Sequence, residues 1–243
     1  MSLRDAFLKL PLREMSPTGL VRSDIYVSVR DLSLDVSDGP RPLIANWINP
    51  YAAFVYPPFP IIQDVPNAKT AYPNLMDAVY DCFVNLKDAD GNIIAYRPAV
   101  ILVDDPVLQY YWQADLGNSG TVVRSVNQNT ETLVHADGTE FQLVTPANHC
   151  WLNFRKGIIE FMKNQEGEKG SSLSDPAVDE TIIPLVLTAC MHCGVFKTKL
   201  LACGSCLGAF YCDRDCQKGG WKRHKVLCKQ VSARRVSETE KKE

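Results

Sequence analysis

Between Cys190 and Cys228 lie seven of the nine cysteines of this 243-residue chain, together with His224, and they come in pairs: Cys190-x2-Cys193, Cys203-x2-Cys206, Cys212-x3-Cys216 and His224-x3-Cys228. Zinc takes four ligands in a tetrahedron from Cys thiolate and His nitrogen, so eight such ligands suffice for two ions. When protein atoms fill all four positions, none is left for water or substrate, and the site is structural rather than catalytic. A segment of about 40 residues buries too little apolar surface to fold alone. Two closed metal sites supply the missing core, which predicts a small, irregular, metal-stabilised module here.

The same stretch carries Tyr211 just before Cys212, Gln217 just after Cys216 and Trp221 three residues before His224. Ligands, spacings and these three side chains together resemble the MYND-type zinc finger family over residues 190–229, about a sixth of the chain. The resemblance implies an interleaved arrangement, with Cys190, Cys193, Cys212 and Cys216 on one zinc and Cys203, Cys206, His224 and Cys228 on the other. Spacing alone leaves a sequential pairing, first four and last four, equally open. The resemblance also implies a docking platform for short proline-containing peptides, with Tyr211, Gln217 and Trp221 at the groove. There Trp would be the flat apolar anchor and Gln a polar handle for the peptide backbone. Packing of Tyr211 and Trp221 over the zinc sites is the alternative reading. His192, inside the first pair, reads as a solvent-facing bystander because its neighbours complete the ligand set. Gly219-Gly220 departs from the family's pattern, and two glycines weaken a helix reaching back from Trp221.

Clustered C-x2-C pairs are metal ligands rather than disulfides in a reducing compartment, so the expected location is the cytosol or nucleus. The first 16 residues are too charged for a signal-peptide core, and no apolar run is long enough to span a bilayer. Cys82 and Cys150, outside the cluster and flanked by apolar residues, read as buried, inert thiols. Residues 190–243 hold twelve Lys and Arg against five Asp and Glu. Seven ligating thiolates and two zinc ions would bring that excess down to about +4.

Upstream, residues 24–36 alternate as a strand, with Ile25, Val27 and Val29 on one parity and Leu32, Leu34 and Val36 on the other after a slip at Arg30-Asp31. Residues 40–73 hold 8 of the 15 prolines, including Pro57-Pro58-Phe59-Pro60, which predicts an irregular apolar loop and argues against central-strand pairing. Leu75, Val79, Cys82, Phe83 and Leu86 recur at helical spacing behind Asn74, the expected cap, although the β-branched and aromatic content also permits a strand; a helix is the expectation. Residues 93–103 read as a buried strand broken at Pro98 and closed by Asp104-Asp105-Pro106. Asp137-Gly138 between two apolar runs predicts a hairpin. Trp151, Phe154, Ile158, Phe161 and Met162 fit one face of a short helix. The expected organisation is α+β: an N-terminal segment 1–19, a β-rich domain 20–163, a polar linker 164–189, the finger 190–228 and a charged tail 229–243.

A closed zinc site performs no chemistry, so the function expected is that of a non-enzymatic, zinc-binding adaptor. Its partners would be proteins bearing proline-containing peptides, with no membrane and no catalytic residue. Pro40-Arg41-Pro42-Leu43-Ile44 is similar to the proline-leucine segments that such fingers bind, and a tether would raise its local concentration enough to occupy the finger in cis. MYND-type fingers also occur in SET-domain lysine methyltransferases. Asn148-His149-Cys150 with Asn153 is a poor match to their asparagine–histidine motif, because here it precedes the finger. Cys150 beside His149 fails as a nucleophile pair, since neighbours on a strand point to opposite faces. Asp104-Asp105 needs no cation to explain it, an Asp-Asp-Pro turn being enough. Lys222, Arg223, Lys225 and Lys229 could give salt-sensitive, non-specific nucleic-acid contact, against the simpler reading of a solvated helix face.

Overall fold

The computed structural model describes residues 1–31, 43–56, 61–63, 67–167, 185–186, 188–197 and 199–239. The alternation at Ile25, Val27 and Val29 becomes strand Ile25–Asp31, in the middle of a mixed sheet. On one side it pairs antiparallel with Leu43–Asn49, followed by the short strand Phe54–Val55. On the other it runs parallel to Val100–Val103, which runs parallel to Val122–Ser125. Ile61–Gln63 adds to Leu43–Asn49, and Leu185–Val186 adds to Ile25–Asp31. Parallel neighbours need a crossover, and helix Pro106–Leu116 supplies it between Val100–Val103 and Val122–Ser125.

Because successive strand residues point to opposite faces, each strand feeds two cores. Ile25, Val27, Val29, Ala45, Trp47, Ile101, Val103 and Val123 face helices Leu3–Leu8, Ala68–Val84 and Pro106–Leu116. Tyr26, Ile48 and Leu102 face the other way, onto Leu143, Ala147 and Cys150 at the start of helix Val144–Gly167. The Asp137-Gly138 hairpin is present, Thr132–Val134 against Glu140–Gln142, with Gly138 at φ 87° as such a turn requires. Among the described residues, no helix is long and apolar enough to cross a membrane.

Several elements differ from the expectation. The proline-rich stretch contains Leu43–Asn49, paired on both sides, because its prolines flank that segment at Pro42 and Pro50 and leave its ladder donors intact. Pro57-Pro58-Phe59-Pro60 and Pro40 to Pro42 lie outside the described residues. Ile44 is fully buried in the sheet, so a Pro40–Ile44 ligand would have to leave it to reach the finger. The next helix starts at Ala68, not behind Asn74: Asn67 is its cap, its side chain accepting from Lys69 N. Pro73 sits inside that helix, where burial of Tyr72, Leu75, Met76 and Val79 outweighs one lost backbone bond. Within 93–103 only Arg97–Pro98 and Val100–Val103 are strands. The helix from Val144 runs to Gly167, past the expected linker start, and Leu185–Val186 of that linker joins the sheet. Helix Arg214–Thr239 continues well into the expected tail.

The finger packs against the β-rich domain. Ala189, Cys190, Met191, Cys203, Cys206, Ala209, Tyr211 and Cys228 belong to the same buried cluster as the first sheet face and its helices.

Candidate metal centre

Each C-x2-C pair sits on a tight turn. Gly194 N donates to Cys190 O at 2.9 Å, and Leu207 N to Cys203 O at 2.9 Å. Two short hairpins hold these turns, Thr188–Ala189 with Phe196–Lys197 and Leu201–Ala202 with Phe210–Tyr211. Helix Arg214–Thr239 then brings Cys216, His224 and Cys228 over them. Asp213 starts that helix by accepting from Cys216 N at 2.8 Å.

The ligand atoms of Cys190, Cys193, Cys212 and Cys216 all lie within 4.8 Å of one another, and so do those of Cys203, Cys206, His224 and Cys228. The pairing is therefore interleaved. Zn–S bonds of about 2.3 Å in a tetrahedron imply S···S edges of about 3.8 Å. Cys193 and Cys212 Sγ are 3.6 Å apart, and Cys203 and Cys228 Sγ 3.9 Å. Cys206 Sγ and His224 Nε2 are 3.4 Å apart, which assigns Nε2 as the ligating nitrogen. The sulfurs are too far apart for disulfides and spaced to share an ion.

The electrostatics fit a dication. Burial, then the charge of neighbouring Cys203 and Cys228, pushes the Cys206 thiol up to about 12. Burial and the adjacent Cys190 and Cys193 thiols push Cys212 up to about 11 and Cys216 to about 12. Cys190 goes the other way: against the effect of burial, N–H groups of Cys193, Cys212 and His192 hold it at about 7. Four thiolates this close repel one another without a cation between them, and Zn²⁺ relieves that repulsion. Both sites are complete with protein ligands.

Helix Arg214–Thr239 passes without a break through Gly219 and Gly220, and close approach explains both glycines. A Cβ at Gly219 would meet the His192 ring at 2.5 Å, and one at Gly220 would meet Tyr211 Cε1 at 2.9 Å. His192 is thus half-buried against the helix rather than facing solvent, and it belongs to neither ligand set. Tyr211 is 1% exposed, edge-on to His224 at 5.9 Å, its hydroxyl buried without a partner. Gln217 is half-buried. Trp221 is 44% exposed, its ring tilted against that of His224 with centroids 5.8 Å apart. Of the three side chains assigned to a groove, Trp221 reaches furthest into solvent, while Tyr211 lies beneath the surface as a support.

The first C-x2-C turn is also the docking point on the domain. Gly194 O accepts from Ala68 N at 2.8 Å, and Cys193 O accepts from Asn67 Nδ2 at 3.1 Å, so the turn completes the N-terminal cap of helix Ala68–Val84. Asp105 caps helix Pro106–Leu116 by accepting from Val107 N at 2.7 Å, and it also accepts from Ala189 N at 2.8 Å, next to Cys190. Tyr72 meets Phe196 edge to face at 5.6 Å. Sequence reasoning missed Asn67, Asp105 and Gly194 in these roles. Asp105-Pro106 is a helix-start signal that could have been found, whereas nothing local links residue 67 to 193.

The other residues singled out in the domain make ordinary structural contacts. Asn148-His149-Cys150 lies on a helix, not a strand, with His149 turned to Asn153 at 3.0 Å. Cys150 is buried, its thiol pushed up to about 11 by burial, and burial pushes Cys82 up to about 12. Both are inert. Asp104 accepts from the Tyr26 hydroxyl at 2.9 Å, and Asp105 from that of Tyr72. Neither aspartate belongs to a metal-holding group among the described residues.

Comparison with known proteins matches residues 190–228 to the MYND finger family. The segment is 51% identical over 39 residues to N-lysine methyltransferase SMYD2-B of Xenopus laevis, covering 16% of this chain and 9% of that protein. It is 45% identical over 47 residues to histone-lysine N-methyltransferase SMYD1 of Homo sapiens, covering 19% and 10%. Tudor domain-containing protein 1 of Homo sapiens is 33% identical over 69 residues, covering 28% and 6%. The chain spans a tenth or less of the length of each of these relatives. No solved structure matches it. Residues 190–228 are a MYND finger, a protein-interaction module with two zinc-binding clusters.

Proposed function

We propose that this chain is a zinc-binding, non-enzymatic adaptor of the cytosol or nucleus, whose finger docks short proline-containing peptide segments of partner proteins. The observation that carries this reading is the closure of both metal clusters by four protein ligands each, which leaves surface rather than metal as the means of action. Trp221 supports it as an exposed aromatic on a rigid, metal-anchored helix, the kind of side chain that anchors a peptide at low entropic cost. Gln217, one turn before it, can bond to the peptide backbone, and Tyr211 holds the platform from below. The methyltransferase names belong to proteins that match only in the finger, so they carry no activity over to this chain.

The test is a pull-down from cell extract with the intact chain and with Trp221→Ala, alongside elemental analysis. The expected result is loss of proline-rich partners by the variant, with two zinc ions per chain retained. Equal capture by both proteins would refute the groove assignment.

A further inference from the structure

The docked finger forms a surface that neither part has alone. Helix Ala68–Val84, helix Pro106–Leu116, the first C-x2-C turn and helix Arg214–Thr239 meet at a small, shallow crevice open to solvent. Lys69 comes from the first helix, Tyr110 and Tyr111 from the second, Met191 and His192 from the turn, and Arg223 from the last.

The chemistry of this lining is one-sided. Its charged members are Lys69 and Arg223, both exposed, and it contains no carboxylate. Arg223 is held in place through one terminal nitrogen, Nη2, which donates to Met191 O at 3.0 Å and His192 O at 3.2 Å. Its Nη1 and Nε, the Lys69 ammonium and the Tyr110 and Tyr111 hydroxyls have no hydrogen-bond partner among the described residues. His192 Nδ1 is buried and equally unpartnered. The carbonyls of Met191 and His192 each already accept one bond from Arg223. The crevice therefore offers positive charge and free donors against an apolar wall of aromatic rings. An occupant must bring negative charge and acceptor oxygens on an apolar stem.

We propose that this crevice between domain and finger docks an acidic segment of a partner protein, with a Glu or Asp carboxylate between Lys69 and Arg223 and its apolar neighbour on Tyr110. The site is separate from the proline-peptide face. Gly219 and Arg223, four residues apart, share the helix face turned to His192, whereas Trp221 lies about 160° to 200° away around the axis. The adaptor thus has two binding faces on opposite sides of one helix. A nucleic-acid backbone suits the exposed row of Lys222, Lys225 and Lys229 better than a narrow cleft with two cations.

The experiment uses the full zinc-loaded chain and a fluorescein-labelled peptide, Gly-Asp-Glu-Leu-Glu-Gly, read by anisotropy and by backbone amide NMR shifts. Its Asn/Gln counterpart, sodium phosphate and a single-stranded DNA oligomer are the comparison arms. Binding of the acidic peptide is expected, weakening with salt, with shifts at Lys69, Tyr110, Tyr111, His192 and Arg223. Lys69→Glu should weaken binding roughly tenfold or more by placing like charges together. Its fold is protected, because a Glu in the first turn of a helix is favourable and Lys69's side chain makes no bond to lose. Trp221→Ala should leave binding of this peptide unchanged, so this site and the proline-peptide face can fail independently. The proposal is overturned if the amide counterpart binds as tightly, if Lys69→Glu has no effect, or if the shifts fall elsewhere. Phosphate or DNA shifting the crevice amides while the peptide does not would overturn it equally.

Discussion

The two C-x2-C turns of the finger have the same ligand chemistry and the same backbone, yet they sit in different worlds. Both close with an N–H to the first cysteine's carbonyl at 2.9 Å, and both place the next residue in the left-handed region, Gly194 at φ 79° and Leu207 at φ 53°. At Gly194 the domain is in contact: a Cβ there would lie 2.5 Å from Asn67 Oδ1. At Leu207 the side chain is 49% exposed and the turn tolerates it, at a backbone cost of about 1 kcal/mol. The turn alone favours glycine mildly, and the tertiary contact makes it obligatory. The first turn is hydrogen-bonded to the domain, capping helix Ala68–Val84, while among the described residues the second makes no hydrogen bond to it.

The largest expected effect compares the two metal sites directly. Cys193→Ala and Cys203→Ala should each reduce zinc from two ions to one per chain by elemental analysis, because ligand loss and folding are linked. Only Cys193→Ala should also loosen the domain, by about 3 kcal/mol, as the cap of helix Ala68–Val84 goes with the turn. Hydrogen exchange at Ala68, Lys69 and Ala71 reads this out. Equal protection in the two variants would erase the distinction between docked and free turns.

Next comes the residue after each turn. Gly194→Val meets both a disfavoured φ and Asn67, and should cost about 3 kcal/mol in thermal unfolding. Leu207→Gly relieves strain and should stay within about 1 kcal/mol of the parent. Similar losses from both substitutions would mean that the domain contact adds nothing. Smaller again, Asn67→Ala removes a cap and the bond to Cys193 O, at about 1 kcal/mol, and should speed zinc release from the first site alone. Release measured with a chromogenic chelator separates the two sites.

The smallest effect is on pH dependence. Asp105 joins helix Pro106–Leu116 to Ala189, and burial raises its carboxyl to about 6 despite the Tyr72 hydroxyl and the N–H donors that favour its charged form. A raised folded value means that the native state holds the proton more tightly than the unfolded chain does. Its contribution is therefore most favourable below about pH 4 and declines as pH rises to about 6. Asp105→Asn lacks this term, so its stability deficit should be smaller at pH 7 than at pH 5. A deficit that grows with pH would contradict the direction of the shift.

Legibility followed the range over which the physics acts. The eight ligands, the Asp137-Gly138 hairpin and the parity of Ile25, Val27 and Val29 are local patterns, and each was readable. Leu43–Asn49 escapes a proline count, which averages over a window, whereas the ladder depends on which residues hold the prolines. Helix Pro106–Leu116 is marked in the sequence by Asp105-Pro106 at its start, a cap followed by a proline. Gly219-Gly220 looked like a helix weakness and is instead a contact surface for His192 and Tyr211.

From its residues alone, the chain specified a pair of closed zinc clusters and thereby a region that works by contact and not by turnover, since coordination number and ligand type are properties of the side chains themselves. Which cysteines share an ion was left open by spacing and decided by the fold. So was the union of finger and domain, because Asn67 meets Cys193, and Asp105 meets Ala189, across some 84 to 126 residues of chain. Such meetings leave no trace in any local pattern and exist only once the sheet and its helices have brought the partners together.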